Sequence, residues 1–137
     1  MVRFETVIDP MGEDLALIFS GLRHFNDAST GKMTALRMAM TVKEDYRLIG
    51  GLYGEVQWSW LRLYAMWIDP AYRGQGIGQT LMARLDDYAR DNQLTGIYLE
   101  TTSFQAHHLY RKQGYSEFAQ IEDYPPGETM FFMKKAF

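Results

Sequence analysis

The segment Tyr72-Arg73-Gly74-Gln75-Gly76-Ile77-Gly78 puts an Arg and three glycines between an apolar run, Leu61 to Ile68, and a helix-like run, Ile77 to Arg90. A strand therefore hands over to a helix through a turn with few Cβ atoms. The first turn of a helix leaves backbone N–H groups without internal partners. Those donors, with the positive end of the helix dipole, favour an anion. Glycines let a phosphate approach the backbone, and Arg73 adds positive charge at the edge. The chemistry this arrangement suits is the cradling of a pyrophosphate. No Gly-Lys-Ser/Thr follows at P-loop spacing, and Gly78 falls one residue too early for a dinucleotide G-x-G-x-x-G turn.

The pattern Arg-x-x-Gly-x-Gly at Arg73, Gly76 and Gly78 resembles the acyl-CoA loop of the GNAT N-acetyltransferase superfamily. The preceding Trp67-Ile68-Asp69-Pro70-Ala71-Tyr72 and the following Leu81-Met82 are also similar to that family. A second segment, Ala106-His107-His108-Leu109-Tyr110-Arg111-Lys112-Gln113-Gly114-Tyr115, resembles the GNAT helix that ends in Gly followed by an aromatic residue. The resemblance is good from Leu61 to Phe137 and holds only in element order before that.

It implies transfer of the acetyl group of acetyl-CoA to a primary amine, with acetyl-CoA as cosubstrate. Backbone amides of Gln75, Gly76, Ile77, Gly78 and Gln79, with Gly74 and Arg73, are implied to hold the pyrophosphate. The backbone of Met66, Trp67 and Ile68 is implied to pair with the pantetheine arm, and the Trp67 side chain reads as core packing. Tyr110 takes the position of a Tyr near the CoA sulfur, and a phenol with an ordinary pKa near ~10 is neutral at working pH and can protonate the leaving thiolate. Many members carry an Asn before that helix, where Ser103 stands here; Ser can still cap the helix or touch the cofactor. Many also place a carboxylate on the central strand, where this chain has Arg62, Leu63 and Tyr64. The base is then a water chain or a carboxylate from elsewhere, Glu55 or Glu122. The acceptor is implied to lie between the first helix, with His24, Phe25 and Asn26, and the last hairpin, with Glu122, Asp123 and Tyr124. Those acids, with Trp58 and Trp60, suit a small cationic amine through charge and cation–π contact. Acetylation of a protein or peptide, and a non-catalytic acyl-CoA sensor, are the alternatives.

Other chemistries are less well supplied. His107 and His108 are adjacent, so on a helix they point about 100° apart and do not readily chelate one ion; no metal is expected. The chain has no cysteine, which excludes disulfides and thiol catalysis. Its formal charge of −3 argues against a nucleic-acid partner. With 47% hydrophobic and 23% charged residues, it has the composition of an ordinary globular protein. No apolar run reaches membrane-spanning length and no signal pattern appears, so no membrane association and a cytoplasmic location are expected. A homodimer is open, with Phe131, Phe132 and Phe137 serving either an interface or the core.

The elements that must position these residues follow from periodicity. A single domain over residues 1–137 is expected. Arg3 to Ile8 alternates as a short strand, and Asp9-Pro10 gives a helix start. Leu15, Ile18, Phe19, Leu22 and Phe25 recur at helical spacing through Asn26. Ala35 to Val42 reads as a strand, Arg47 to Trp58 as a second interrupted by glycines, and Leu61 to Ile68 as a third. After the cradle helix, Ile97 to Thr101 is a strand expected to run parallel to Leu61–Ile68. Gln105 to Gln113 is a helix stopped by Gly114. Tyr115 to Ile121 and Met130 to Lys134 form a hairpin. Strands first, then strand–helix–strand–helix, predict an α/β (α+β) fold with a central mixed β-sheet flanked by helices. The resemblance names this arrangement as the GNAT-like acyl-CoA N-acyltransferase fold.

Overall fold

The computed structural model describes residues 1–137. It divides into two compact units, Met1–Thr34 and Ala35–Phe137. The first unit holds one helix, α1 (Glu13–Thr30), with Glu13 and Asp14 in its first turn, where acids meet the positive end of the dipole. Two expectations fail here. Arg3 to Ile8 forms no strand, since nothing in its own unit offers a ladder partner. Asp9-Pro10 does not start the helix. Asp9 lies at φ 50°, and the chain enters α1 through Gly12 at φ 90°. The helix also runs past Asn26 to Thr30.

The second unit is a six-stranded mixed sheet with two helices. Its elements are β1 (Leu36–Glu44), β2 (Arg47–Gln57), β3 (Trp60–Ile68), a 3₁₀ turn (Pro70–Tyr72), α2 (Ile77–Asp91), β4 (Gly96–Thr102), α3 (His107–Lys112), β5 (Ser116–Glu122) and β6 (Thr129–Ala136). The strand order is β1-β2-β3-β4-β6-β5, with β3 and β4 parallel and all other neighbours antiparallel. The glycines of β2 do not interrupt it. A Cβ at Gly51 would lie 2.5 Å from the Met40 carbonyl oxygen, so this glycine lets β1 and β2 close on each other.

The core lies on one face of this sheet. Leu61 and Leu63 of β3, Ile97 and Leu99 of β4 and Met133 of β6 meet Leu81, Met82, Leu85 and Ala89 of α2, with Tyr110 and Tyr115 closing the cluster. Alternation makes β3 and β4 present these leucines inward and Trp60, Arg62 and Tyr98 to the opposite face. Asp86 also sits on the buried side of α2, where its Oδ2 takes a hydrogen bond from Lys135 Nζ at 2.5 Å. The same ammonium donates to the Gln113 carbonyl at 2.7 Å, tying β6 to α2 and to the end of α3. No helix is long and apolar enough to cross a membrane.

Candidate active site

The seam between β3 and β4 is short. Pairing runs from Trp60 with Gly96 to Leu63 with Leu99 and stops, although β3 continues to Ile68 and β4 to Thr102. On the other side of β3, the register with β2 slips between Tyr53 and Gly54, leaving Tyr64 without a direct partner. Such a bulge bends a strand and increases its twist. Here it lies where β3 leaves β4. The divergence opens a cleft of about 390 Å³, lined by Met66, Trp67, Ile68, Arg73, Phe104 and Leu109 among others. Along Met66–Ile68, the β3 backbone edge facing β4 therefore has no strand to pair with.

Trp67 is 49% exposed and belongs to this cleft. Its reading as core packing is thereby corrected. The apolar content of β3 reports a central strand, but past the slip in register it is Met66, opposite buried Leu52, that shares the core face, and alternation turns Trp67 to the other.

The cleft leads into the glycine turn. Asp69 Oδ1 accepts from the Ala71 N–H at 2.9 Å and Asp69 Oδ2 pairs with Arg47 at 2.7 Å, fixing the exit of β3. Arg73 Nε donates to the Ile68 carbonyl at 2.9 Å, which folds the turn back on the strand. Gly76 caps α2 in the left-handed region, at φ 80°. A Cβ at Gly76 would meet nothing within 4 Å, so the space beside the backbone is open. No backbone carbonyl takes the N–H of Ile77, Gly78 or Gln79; the first helical bond is Thr80 N–H to Gly76 O at 3.0 Å. Arg73, Gly74, Gly76, Ile77, Gly78 and Gln79 line one pocket, and Gln75 borders a larger groove between β1 and α2. Free donors, open space and a nearby guanidinium fit a pyrophosphate.

Tyr110 stands on α3, 8% exposed, its ring edge-on to Tyr115 at 6.0 Å. Burial alone pushes its phenol from the ordinary value up to about 12. The expectation of an ordinary phenol is corrected upward, and the group stays protonated over a wider range. Tyr115 is pushed further up, by burial and then by the negative charge of Asp86.

Ser103 does not cap α3. Its hydroxyl bonds Glu128 and accepts from the Thr129 N–H at 3.1 Å, fastening the β4–α3 loop to the start of β6, while Ala106 precedes α3 without a side-chain cap. Glu122 ends β5, and Asp123 and Tyr124 begin the turn to β6, where Asp123 at φ 57° accepts from the Gly127 N–H at 3.4 Å. Phe25 and Asn26 lie on α1 in the first unit. Glu55 of β2 accepts from the Tyr53 hydroxyl at 2.7 Å. His107 stacks on Phe131 at 4.9 Å, and no group of three or more metal-binding side chains occurs.

The model of the acetyltransferase (GNAT) family matches residues 13–115, which include the cradle, the open seam and Tyr110. This chain belongs to the GNAT acetyltransferase family. A blasticidin-S acetyltransferase from Streptomyces morookaense is 44% identical over 64% of this chain, and the match spans 65% of that protein's length. An acetyltransferase from Agrobacterium fabrum is 26% identical over 82% of this chain and 83% of its own. The crystal structure of an acetyltransferase from Bacillus cereus superposes with a TM-score of 0.87 over 97% of this chain and 98% of that one, at 24% identity, a likeness of fold.

Proposed function

We propose that this chain is an N-acetyltransferase that moves the acetyl group of acetyl-CoA to the primary amine of a small cationic molecule. The observation that carries the reading is the junction of two features. An unpaired strand edge at Met66–Ile68 runs directly into a helix N-terminus with free amides at Ile77–Gln79. An extended thioester with a diphosphate at its far end needs that combination. In this reading the pantetheine amides bond the β3 backbone, the pyrophosphate takes the cradle amides with Arg73, and Ser103 borders the arm. Tyr110 gives its proton to the departing thiolate. A phenol raised to about 12 by burial is fully protonated when the reaction begins.

A small cationic acceptor is supported by the acids Glu122 and Asp123 at the hairpin and by the name of the Streptomyces relative. A non-catalytic acyl-CoA sensor is the second reading, favoured by the lack of a carboxylate at Arg62–Tyr64 on β3. The test is coenzyme A release from acetyl-CoA across blasticidin S, streptothricins, aminoglycosides, polyamines, amino acids and short peptides. Release with one cationic class supports the transferase and identifies the acceptor. Saturable acetyl-CoA binding with no release on any amine supports the sensor.

A further inference from the structure

Acetyl transfer to an amine needs two proton movements. Tyr110 answers for the thiolate, and it packs in the core cluster on the helix-bearing face of the sheet. The amine must lose a proton as well, and β3 has no carboxylate for it at Arg62–Tyr64. The neighbouring strand has one. Glu100 is on β4, immediately after Leu99, the last residue paired with β3. If pairing continued, Glu100 would stand opposite Tyr64. By strand alternation it shares its face with Tyr98, opposite the face of Ile97 and Leu99. Glu100 thus stands at the mouth of the open seam, on the side away from Tyr110.

The carboxylate is held there. Arg62 Nη2 donates to Glu100 Oε1 at 3.0 Å, spanning the seam at its last paired step, and the Arg62 guanidinium lies 4.3 Å from the centre of the Tyr64 ring. This pair fixes one oxygen; no hydrogen bond within the chain falls on Oε2. The side chain is 39% exposed, so an acceptor can reach it. The earlier candidates stand further off. Glu55 lies on β2 and already accepts from the Tyr53 hydroxyl, and Glu122 lies on β5, beyond β6. Charged groups that share this face are Arg62 on β3, Glu55 opposite it on β2, Arg37 opposite Glu55 on β1, and Lys134, whose register partner is Tyr98, on β6.

We infer that Glu100 is the catalytic base, and that Arg62 is its positioning residue. The inference rests on the transferase reading above. The amine nitrogen attacks the thioester carbon, forming the C–N bond. Its surplus proton passes to Glu100 Oε2. As the C–S bond breaks, the thiolate takes the Tyr110 proton. Solvent then carries a proton from Glu100 and restores one to Tyr110, leaving amide and free coenzyme A.

The test is Glu100→Gln in the full chain, assayed with acetyl-CoA and the amine that gives the highest coenzyme A release in the panel. The expected result is a 10²- to 10³-fold fall in kcat/KM, the range of general-base catalysis. The acetyl-CoA Kd should stay within twofold of wild type. Glu100→Asp, which keeps the carboxylate but draws it back, should recover part of the rate. A wild type that turns over while Glu100→Gln keeps within threefold of it overturns the Glu100 role alone. A large fall that Glu100→Asp does not partly restore also overturns it, since the carboxylate is then not what the rate depends on. A wild type that binds no acetyl-CoA, or releases no coenzyme A with any amine, overturns the transferase reading itself and this inference with it.

Discussion

Gly76→Ala separates the conformational duty of a glycine from its duty as a cradle. Gly76 lies at φ 80° with nothing within 4 Å of a new Cβ, so the methyl meets no atom of the chain. The folded-state cost is the left-handed backbone alone, roughly 1–2 kcal/mol for a residue with a Cβ. The stiffer unfolded chain returns roughly 0.4–1 kcal/mol. The net loss is about 1 kcal/mol, which in a chain of 137 residues lowers Tm by about 3–4 °C. Gly127, at φ 83° and also with nothing within 4 Å, is the matched control, since it carries the same strain at the hairpin tip. Gly127→Ala should lose the same few degrees. The two should diverge in acetyl-CoA affinity. At position 76 the methyl occupies the space beside the free amides of Ile77–Gln79, and hydrogen bonds to a charged group contribute about 1.5–3 kcal/mol each. Losing one raises Kd about 10- to 100-fold, read by titration calorimetry beside thermal melts. Equal affinities in the two variants would refute the cradle argument, whatever their Tm values.

Tyr110→Phe should lower kcat at least tenfold while leaving acetyl-CoA Kd within twofold, measured by steady-state kinetics and calorimetry; unchanged turnover removes Tyr110 as proton donor. Because burial holds the folded-state Tyr110 at about 12, above its ordinary value near 10, its stabilising contribution is complete below pH 10 and disappears as pH climbs toward 12. Over that window the stability from urea midpoints should fall by about 2–3 kcal/mol less in Tyr110→Phe than in wild type, with Tyr115 titrating in both, and equal losses contradict the burial. Lys135→Met strips the partner from a buried carboxylate and should cost about 3–5 kcal/mol, with a smaller deficit when Asp86→Leu is added. Neutralising Glu122 and Asp123 together, as Gln and Asn, should raise acceptor KM at unchanged acetyl-CoA affinity. Asn at 123 keeps a side-chain oxygen for the turn.

The part of the fold that repeats a local pattern was legible in the sequence. β3, α2 and β4 lie within a residue or two of where the apolar runs put them, because each buries a continuous stripe against the others. Residues 3–8 alternate as a strand, yet a strand needs a partner and alternation does not supply one. Trp67 was misread for the converse reason. Its composition says interior, while the end of the β3–β4 ladder at Leu63 and Leu99 is a fact of two strands and is written in neither alone. Ser103 looked like a helix cap because of its type and place, and Glu128 and Thr129, far along the chain, claimed its hydroxyl. Glu100, the base inferred above, stands out in its own strand. It is the one charged residue in Gly-Ile-Tyr-Leu-Glu-Thr-Thr, a strand otherwise free of charge.

The short β3–β4 seam bears on how the protein behaves when its cosubstrate is scarce. Along Trp60–Leu63 the β3 backbone is flanked by a strand on both sides, but from Tyr64 to Ile68 one edge lies open although the strand is in mid-sheet. Amide exchange of Met66 and Ile68 should therefore be fast in the free protein and slow when acetyl-CoA lies along them, with little change in Trp60–Leu63 or in Trp67, whose N–H faces β2. A ligand that takes the place of a strand is also linked to folding. At a concentration one hundred times its Kd it adds about 2.7 kcal/mol to the unfolding free energy. The half-life of this chain in a cell would then rise and fall with the acetyl-CoA pool, making the cosubstrate a determinant of how much protein there is as well as how fast it works.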